Sequence, residues 1–574
     1  MAWVVLLAAG CAPTAPPPAR LTRVFLPPGQ PEYVRFDNES RPAFLLGAGE
    51  HEATEVDLLP GSRLVFALAF GDEAPERGFV HLEVRANGQP VFRGRMSVRR
   101  TNHWWHRSVG LPGSGRTRLS FIARLGRADG TPLPTPPADD WIALAVPRIY
   151  PPKSADASRR VLVWLSIDTL RADHLGAYGY PRPTSPAFDE AALGLGLFEN
   201  AVASASWTLP SMTSQITSRY PSYHGAVLHD LARDPTTPTL YDVLSRNGFT
   251  VLGVTANDLI SPAQGLADGF DALWFDDGRA NQLARRALAA LQEWDGGDLA
   301  LFVHYMDPHH PYDPPPPFDD RFDPGYRGAV DASHTSFQAL SQIRDPRDVA
   351  HVAALYDGEI AYADGEIQAL LSELGERGLT ERAVIVYSAD HGEELMDHGS
   401  WHHGGTLYQE VLHVPLAIRV PGLGGARVSR PVSMLDLAPT VLDAFGIEAP
   451  APFQGQSLLP LLRGEPLPEP WIVSETLLTR DHSHLVSIRR GDQKYIVRLL
   501  PGREGGPEVL GEEMYDLSKD PDERHSDLGS PHLDALRRAA LDYVTRARRQ
   551  APGPRLAPLD EDSLARLRAL GYIP

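Results

Sequence analysis

Hydrophobic and polar positions alternate over short distances in the first quarter of the chain. From about residue 21 to 150, apolar segments such as RLVFALAF, VHLEVRA and TRLSFIARL are separated by Gly, Pro and Asp. Short strands bounded by turn residues, without a helical period between them, are typical of antiparallel sheets. We therefore predict an antiparallel β-sandwich domain over residues 21–150.

The pattern changes after the linker-like sequence YPPKSADASRR at 150–160. Apolar runs become continuous in VLVWLSID, TVLGVTAN, LALFVHYMD and AVIVYSADHG, and helical stretches, notably 352–377, lie between them. Continuous apolar strands that alternate with helices indicate a parallel sheet covered on both faces. Residues 159–450 are therefore predicted to form an α/β core. Shorter strands and a final helix over 451–574 predict a small C-terminal α+β subdomain.

Polar residues follow each of those four apolar runs: Asp168, Asn257, Asp307 and the pair Asp390–His391. Ligands of open α/β sheets bind beyond the carboxyl ends of the strands, so we expect these side chains to converge. Carboxylate and imidazole ligands suit zinc, manganese or, with more oxygens, calcium. The structural alternatives are a helix-capping role for Asp168 and a surface cluster of the histidines over 398–403.

The sequence VHYMDPHHPY places histidines in a loop that its prolines make rigid. His309 is a candidate general acid, because imidazole is the usual proton donor near neutral pH. The alternative is a turn with hydrogen-bonded histidines and no role in chemistry.

The sequence SWTLPSM indicates a helix N-terminus, since Pro210 suits the first turn of a helix. Thr208 is expected at or just before that N-terminus, where free N–H groups and the helix dipole stabilise anions. A capping threonine is the simpler interpretation. A metal held by Asp168, Asp390 and His391 would instead lower the pKa of the Thr208 hydroxyl and make it a nucleophile.

Two adjacent tryptophans, Trp104 and Trp105, lie in the predicted sandwich. Neighbouring residues of a strand face opposite ways, so one ring is expected in the core. The other either packs structurally or stacks on a sugar.

The chain has a formal charge of −19 at pH 7 and a single cysteine, Cys11. Nucleic acid is not an expected partner, because binding phosphates takes an excess of Lys and Arg. The N-terminal MAWVVLLAAGC has the apolar stretch of a signal peptide and resembles a bacterial lipobox, in which the cysteine is lipidated. Residues 1–20, with their Pro-rich tether, therefore predict export to the cell envelope (periplasm or outer membrane) and a membrane anchor at Cys11. A frayed N-terminus is the alternative.

Several motifs together resemble the sulfatase family of the alkaline-phosphatase superfamily, over about residues 159–574. They are VLVWLSIDTLRADHLGAYGY, SWTLPSMTSQITSRYPSYHG, DPHHPY, YSADHGEELMDHG and HHGGTLYQEVLHVPLAIRVPG, followed by MYDLSKDPDE and the terminal LRALGYIP. The resemblance implies a mostly parallel sheet flanked by helices, as in alkaline phosphatase, and a metal-dependent hydrolase.

The chain departs from the family signature, which begins with a Cys or Ser that is converted to formylglycine. Thr208 stands there, and its Cβ methyl prevents oxidation to an aldehyde, so formylglycine is not expected; Met212 replaces the signature arginine. Two lysines of the family also have no counterpart. A threonine nucleophile is instead similar to the phosphodiesterase, phosphonate-hydrolase-like and phosphoethanolamine-transferase branches of the superfamily.

The resemblance also implies roles for single residues. One divalent metal, Ca, Mn or Zn, is expected at four positions of the family pattern: Asp168, Thr208, Asp390 and His391. His309 corresponds to the family histidine near the leaving group, and His403 faces the substrate. A second metal at Asp307, His309 and His403 would match the two-zinc branches.

We therefore expect a hydrolase of sulfate, phosphate or phosphonate esters carried on a glycan or a lipid. Thr208 attacks the ester, and His309 or His403 protonates the leaving group. Phosphorus is preferred to sulfur because of Thr208. Two alternatives remain: a transferase of a phospho-group to an acceptor in the envelope, and a catalytically silent scaffold that binds envelope glycan.

Overall fold

A computed structural model describes most of the chain. The described residues are 22–23, 31–36, 38–46, 49–53, 55–70, 78–97, 104–128, 131, 142–152, 159–294, 296–479, 481–500, 507–559 and 561–569. The predicted signal peptide and tether over 1–20, with Cys11, lie outside these residues. The domain boundaries given above (21–150, 159–450 and 451–574) are predictions from the sequence.

The N-terminal part consists of strands. They are β1 (Thr22–Arg23), β2 (Glu32–Phe36), β3 (Glu39–Leu46), β4 (Gly49–Glu52), β5 (Val56–Leu58), β6 (Arg63–Phe70), β7 (Phe79–Ala86), β8 (Gln89–Ser97), β9 (Trp105–Gly110), β10 (Gly115–Thr117), β11 (Leu119–Gly126), β12 (Ile142–Ala145) and β13 (Arg148–Tyr150).

These strands form antiparallel sheets, as predicted: two larger layers and the separate pair β5 and β10. One layer has the order β1-β13-β6-β12-β3, with β2 and β9 at its sides, and the other has the order β4-β11-β7-β8. A hydrophobic cluster joins them: the ring of Phe66 in the first layer meets that of Phe121 in the second, with centroids 6.1 Å apart. Alternation of apolar residues buries one face of each layer against the other.

The central part alternates strands and helices. Its strands are β14 (Val161–Ile167), β15 (Gly196–Val202), β16 (Thr250–Thr255), β17 (Ala272–Phe275), β18 (Leu299–Tyr305), β19 (Ala383–Ala389), β20 (Glu394–Leu395), β21 (Trp401–His402), β22 (His413–Arg419), β23 (Ala426–Val428) and β24 (Val432–Ser433). Its helices are α1 (Pro186–Ala192), α2 (Thr208–Thr217), α3 (Pro221–His224), α4 (Leu240–Arg246), α5 (Ala280–Ala290), α6 (Phe337–Leu340), α7 (Pro346–Glu376), α8 (Gln409–Leu412) and α9 (Leu437–Ala444).

Strand β14 lies in the middle of a mostly parallel sheet, as the fold class predicts. The order is β17-β16-β18-β14-β19-β22-β15-β23; β16, β17, β18, β14 and β19 run parallel, and β22 runs antiparallel to β19. Every residue of β14, β18 and β19 is buried, because helices cover both faces. The helix predicted over 352–377 begins earlier, at Pro346, where Asp345 accepts a capping hydrogen bond from the Arg347 N–H (2.8 Å).

The C-terminal part is a second α+β layer. It contains α10 (Leu459–Leu462), β25 (Ile472–Thr476), β26 (His484–Arg490), β27 (Gln493–Leu500), β28 (Glu508–Asp516), α11 (Leu533–Gln550) and α12 (Glu561–Ala569). Strands β25 to β28 form an antiparallel sheet, and the apolar side of α11 packs on β26 and β27. Among the described helices none has the length and apolar character needed to cross a membrane.

The sandwich and the central sheet are joined in a way that the sequence does not predict. Strand β3 pairs antiparallel with β17, the edge of the parallel sheet, so that Ser40 lies opposite Leu273 and Glu39 opposite Trp274. An unpaired edge strand exposes N–H and C=O groups, and β3 covers those of β17. The two regions therefore share one continuous sheet.

Arg41 lies inside this junction. Its guanidinium is buried and forms ion pairs with Glu39 and Glu293, and it lies 5.7 Å from the ring of Trp104 and 5.6 Å from that of Trp274. Trp104 is thus the core tryptophan of the predicted pair.

Trp105 also has a packing role. The Arg107 guanidinium lies 3.8 Å from its ring, and the Phe92 ring centroid lies 6.2 Å away. These contacts favour the structural interpretation over sugar stacking.

Replacing Arg41 with alanine should destabilise the whole chain. Glu39 and Glu293 would keep their negative charges in a buried place, which costs about 3–5 kcal/mol of the free energy of unfolding. Thermal unfolding followed by circular dichroism measures the loss. The control is Arg93→Ala, whose exposed side chain pairs with Glu83 and should change stability by at most about 1 kcal/mol. Equal effects of the two substitutions would contradict the role given to Arg41.

Candidate active site

Helix α2 carries the candidate nucleophile and is buried along its whole length. Trp207 has extended backbone, and Thr208 is the first helical residue, as the sequence predicts. The Ser211 hydroxyl donates to the backbone carbonyl of Asp390 (2.6 Å), which fixes the helix on the end of β19. Thr208 is thereby held at the carboxyl edge of the parallel sheet.

The Thr208 hydroxyl lies among predicted site residues from three strand ends. Its Oγ1 donates to Oδ2 of Asp168 (3.4 Å), lies 3.3 Å from Nε2 of His391, and accepts from the Asn257 amide (3.4 Å). The same amide donates to Asp168 Oδ2 (2.8 Å). Asp168 is therefore part of this site rather than the helix cap considered as its alternative.

The two carboxylates each keep one oxygen without a hydrogen bond. Asp390 Oδ1 accepts the N–H groups of Thr169 (3.3 Å) and His391 (2.9 Å), whereas Asp390 Oδ2 and Asp168 Oδ1 have no hydrogen-bond partner in the described part of the chain. Nε2 of His391 lies 3.5 Å from Asp168 Oδ1 and 3.4 Å from Asp390 Oδ2.

His391 is oriented as a metal ligand would be. Its Nδ1 donates to the carbonyl of Gly392 (2.8 Å), so its Nε2 faces the carboxylates with a lone pair. Orphaned buried oxygens beside such a nitrogen fit a divalent cation held by Asp168, Asp390, His391 and Thr208.

The protonation of the site reflects its burial. Burial, with the Asp390 carboxylate, raises the pKa of Asp168 well above its usual range, and burial raises the pKa of Asp390 to about 7. Burial also lowers the pKa of His391 to about 4. A divalent cation would lower both carboxyl pKa values, because it would neutralise the charge that burial disfavours.

His304, the first histidine of VHYMDPHHPY, also belongs to this site, although the sequence predicts no role for it. Its Nε2 lies 3.9 Å from Asp168 Oδ2 and 4.0 Å from Asp390 Oδ2, and neither ring nitrogen has a hydrogen-bond partner among the described residues. Burial and His391 lower the pKa of His304 to about 3. It was missed because it lies inside the apolar strand β18; the signal is its register opposite Ser166 of β14, near Asp168.

The predicted histidines His309 and His403 lie close to His391. The ring centroid of His403 is 4.5 Å from that of His391 and 5.1 Å from that of His309. Nδ1 of His403 donates to Oε1 of the fully buried Glu393 (3.0 Å). The structure thus brings both histidines together and adds Glu393, which the sequence analysis did not predict.

Charge distinguishes the two histidines. Burial, His310 and His403 lower the pKa of His309 well below its usual range, so His309 is neutral. Burial would raise the pKa of Glu393, but His403 and His310 outweigh it and hold that pKa well below its usual range. His403 is therefore the histidine that lies against an ionised carboxylate.

Asp307 does not join the histidines, which corrects the predicted second metal set. Its Oδ2 accepts the N–H of Ala280 at the start of α5 (2.9 Å). Its carboxyl is also paired with that of Glu359, and burial raises the pKa of Asp307. Among the described residues His310 takes its place: the ligand nitrogens of His309, His310 and His403 lie within 4.8 Å of one another.

Met212, in the place of the signature arginine, lies inside the protein. Its side chain is 1% exposed, and the Ser166 hydroxyl contacts its sulfur (3.7 Å). It therefore adds packing under α2 and no charge at the site.

The chain matches known protein families over most of its central and C-terminal parts. Residues 160–447 match a family model described as Sulfatase, and residues 397–550 match one described as N-sulphoglucosamine sulphohydrolase, C-terminal. Human Arylsulfatase K is 32% identical over 186 residues, 31% of this chain and 33% of that protein. Its zebrafish (Danio rerio) relative is 29% identical over 208 residues. The matches span about a third of the length of these curated relatives.

Solved structures show the same fold. Phosphonate monoester hydrolase SpPMH from Silicibacter pomeroyi is 21% identical with a TM-score of 0.56, covering 68% of this chain and 96% of that one. The phosphonate monoester hydrolase of Agrobacterium radiobacter is 20% identical with a TM-score of 0.56, covering 69% of this chain and 96% of that one.

Adding a hard divalent cation such as Ca²⁺ or Mn²⁺ should raise the melting temperature more at pH 8 than at pH 5. The raised pKa values of Asp168 and Asp390 mean that their contribution to stability is lost as pH rises, for Asp390 through about 7. A cation offsets that loss, by about 2.7 kcal/mol at one hundred times its Kd. Differential scanning fluorimetry measures the shift.

The control for this prediction is Asp390→Asn. The substitution removes one ligand and the buried charge, so the cation should no longer raise the melting temperature. The same shift in the wild type and in the variant would place the cation elsewhere.

Proposed function

Because the chain belongs to the sulfatase family, we propose that it is a metal-dependent hydrolase that cleaves a sulfate, phosphate or phosphonate ester through attack by Thr208. The observation that carries this proposal is the position of the Thr208 hydroxyl, at the first residue of α2 and within 3.4 Å of both Asp168 and His391. A capping threonine would not need two buried carboxylates and an imidazole around its hydroxyl.

The residues around Thr208 prepare its oxygen for attack. A divalent ion at Asp168, Asp390 and His391 would lower the pKa of the hydroxyl and neutralise charge on the ester oxygens. Asp168 Oδ2 accepts the hydroxyl proton as the bond from Thr208 Oγ1 to phosphorus or sulfur forms. The Asn257 amide and the N–H groups at the start of α2 hold the anionic oxygens of the substrate.

The leaving group departs toward the histidines. As its bond to phosphorus or sulfur breaks, its oxygen takes a proton from His403, whose ring Glu393 orients through Nδ1. Thr208 is left as an ester. A water molecule then attacks the phosphorus or sulfur, Thr208 leaves with a proton, and the free oxyanion is released.

Phosphorus is favoured over sulfur because the enzyme ester on Thr208 can be released only by attack of water. A formylglycine hydrate expels sulfate from its own carbon by forming an aldehyde, and the Cβ methyl of threonine blocks that route. We propose that a glycan or a lipid carries the ester. The C-terminal match to a sulphohydrolase of an amino sugar supports a glycan.

Substitution of Thr208 tests the nucleophile. Thr208→Ala should lower kcat by at least about 10³-fold, because a lost nucleophile has no substitute. Thr208→Ser keeps the hydroxyl and should stay within about tenfold. The assay uses p-nitrophenyl sulfate, phosphate, bis-phosphate and phenylphosphonate esters with Ca²⁺, Mn²⁺ or Zn²⁺. The control is Thr213→Ala in the same helix, whose hydroxyl donates to its own helix at Leu209 (2.6 Å) and should keep full activity.

Each outcome of this assay has a distinct meaning. Phosphodiester or phosphonate turnover that depends on Thr208 supports the proposal. Turnover of the sulfate ester alone would overturn the preference for phosphorus. No turnover of any ester, in a protein that also binds no metal, would favour the silent scaffold.

We also propose that the protein is exported and attached to a membrane through lipid on Cys11, on the N-terminal sequence alone. Wild-type protein should enter the membrane fraction and take up labelled palmitate. Cys11→Ala should abolish the label; equal labelling of both proteins would contradict the anchor.

A further inference from the structure

A cavity of about 330 Å³ lies between the central part of the chain and the C-terminal sheet. Residues of both parts line it, among them Asn200 and Gln409 from the central part and Arg489 and Arg524 from the C-terminal part. None of the residues around Thr208 lines this cavity, so the proposed hydrolase makes no use of it. Ligands often bind where two parts of a chain meet in this way.

Arg489 of β26 is the unusual residue of the lining, because it is only 3% exposed. Its Nε donates to the carbonyl of Gly491 (2.8 Å), and its Nη2 donates to Oδ1 of Asn200 (3.4 Å). Its Nη1 has no hydrogen-bond partner in the described part of the chain. Buried polar atoms are rarely left in this state, so Nη1 indicates a missing acceptor.

The cations near Arg489 are paired with acids, whereas Arg489 is not. Arg490, its neighbour in sequence, pairs with Glu469 (3.4 Å). Lys494, which lies opposite Arg489 in the pairing of β26 with β27, forms an ion pair with Glu523 (2.7 Å). No ion pair of Arg489 occurs among the described residues, and burial lowers the pKa of its guanidinium to about 10. A buried charge without a counter-charge is costly, so this cation needs a negative group.

Most acids of the lining are neutralised by other cations. Asp173 and Asp397 both pair with Arg171, each at 2.7 Å, and Glu410 pairs with His398 (2.5 Å). These three carboxylates are therefore not available to Arg489.

Asp492 and Asp522 are the two lining acids that form no ion pair in the described part of the chain. Both are exposed, so water and salt screen their charges, whereas Arg489 is buried and screened much less. Arg524 adds positive charge at the exposed side of the cavity, where its guanidinium donates to the backbone carbonyl of Asp397. The balance within the cavity therefore favours an anion.

The available donors select the shape of this anion. A planar carboxylate typically binds two nitrogens of one guanidinium, and in Arg489 only Nη1 is available. A tetrahedral oxyanion can instead direct one oxygen at Nη1 of Arg489 and another at Arg524. We propose that Arg489 and Arg524 bind a tetrahedral oxyanion, phosphate or sulfate, in this cavity.

The proposed anion site adjoins the loop that carries the active-site residues. Arg171, which also lines the cavity, donates to the carbonyl of Glu393 (3.2 Å) and pairs with Asp397. The oxyanion that the proposed hydrolase releases belongs to the same chemical class as this ligand. The inference nevertheless goes beyond the proposed function, because the site holds whether or not Thr208 is the nucleophile.

Phosphate titration tests the site by isothermal titration calorimetry. The full chain carries Asp390→Asn and is treated with a chelator, so that phosphate does not bind through a metal beside Thr208. This protein should bind one phosphate, and adding Arg489→Met should weaken the affinity at least about tenfold, because a charge-assisted hydrogen bond is lost. The matched control is Arg490→Met, an exposed arginine on the same strand, which should leave the affinity unchanged.

Two further substitutions sharpen this test. Arg524→Met changes an exposed residue, so it should fold whatever the fate of Arg489→Met, and it should weaken phosphate binding several-fold. Asp492→Asn removes an opposing charge and should bind phosphate at least as tightly as the protein without it. No phosphate binding, or equal affinity in Arg489→Met and Arg490→Met, would overturn the proposal. Acetate that binds as tightly as phosphate would overturn the tetrahedral geometry.

Thermal unfolding provides a second measurement. Phosphate and sulfate should raise the melting temperature of Arg490→Met more than that of Arg489→Met, compared with chloride at the same ionic strength. General stabilisation by these salts affects both variants alike, so the difference between them reports the site. Equal shifts would contradict it. Neither measurement follows ester turnover, so failure of this site and failure of the proposed hydrolase are seen separately.

Discussion

Two carboxylates are buried at the carboxyl edge of the central sheet, and the groups around them must compensate their negative charge. Asp168 and Asp390 are fully buried and share His391 as a neighbour at about the same distance. Burying two negative charges together is costly unless dipoles or a cation compensate them. Part of this compensation comes from hydrogen bonds: two backbone N–H groups donate to Asp390, and the Asn257 amide donates to Asp168. The N-terminus of α2 contributes its helix dipole. The remaining oxygens are available to a metal ion.

Much of this arrangement follows from the sequence because strand ends are easy to read. The apolar runs of β14 and β19 stop at Asp168 and at Asp390–His391, so these side chains are expected at the carboxyl ends of their strands. Because the two strands pair in parallel, these ends lie next to each other. The helix start at Thr208 is equally readable from its Ser, Trp and Pro context. The parallel sheet and the convergence of Asp168, Asp390 and His391 at its carboxyl edge were predictable for this reason.

Other features depend on three-dimensional detail that local sequence does not carry. Asp307 and His310 lie in the same short loop, and only the path of the turn decides that Asp307 meets α5 while His310 meets His403. His304 looks like a core residue of an apolar strand. The pairing of β3 with β17 joins segments that are distant in sequence, and no short motif in either strand predicts it.

The site combines two kinds of donor chemistry within a short distance. Most polar atoms around Thr208 are carboxylate oxygens, and most around His310 are imidazole nitrogens. The rings of His391 and His403, whose centroids are 4.5 Å apart, lie between the two groups. Glu393 belongs to the imidazole side but influences both, since it stabilises His403.

The continuous sheet also has a consequence for how the protein is made. The Tyr33 hydroxyl donates to the carbonyl of Ala267, which lies 234 positions further along the chain. The strand that pairs with β3, β17, is similarly distant in sequence, so β3 is synthesised long before its partner. Until then the emerging N-terminal segment has an unpaired edge that can associate with other chains. Separating the gene into two independently expressed halves would make that exposure permanent, because each half would keep a strand edge that only the other can cover.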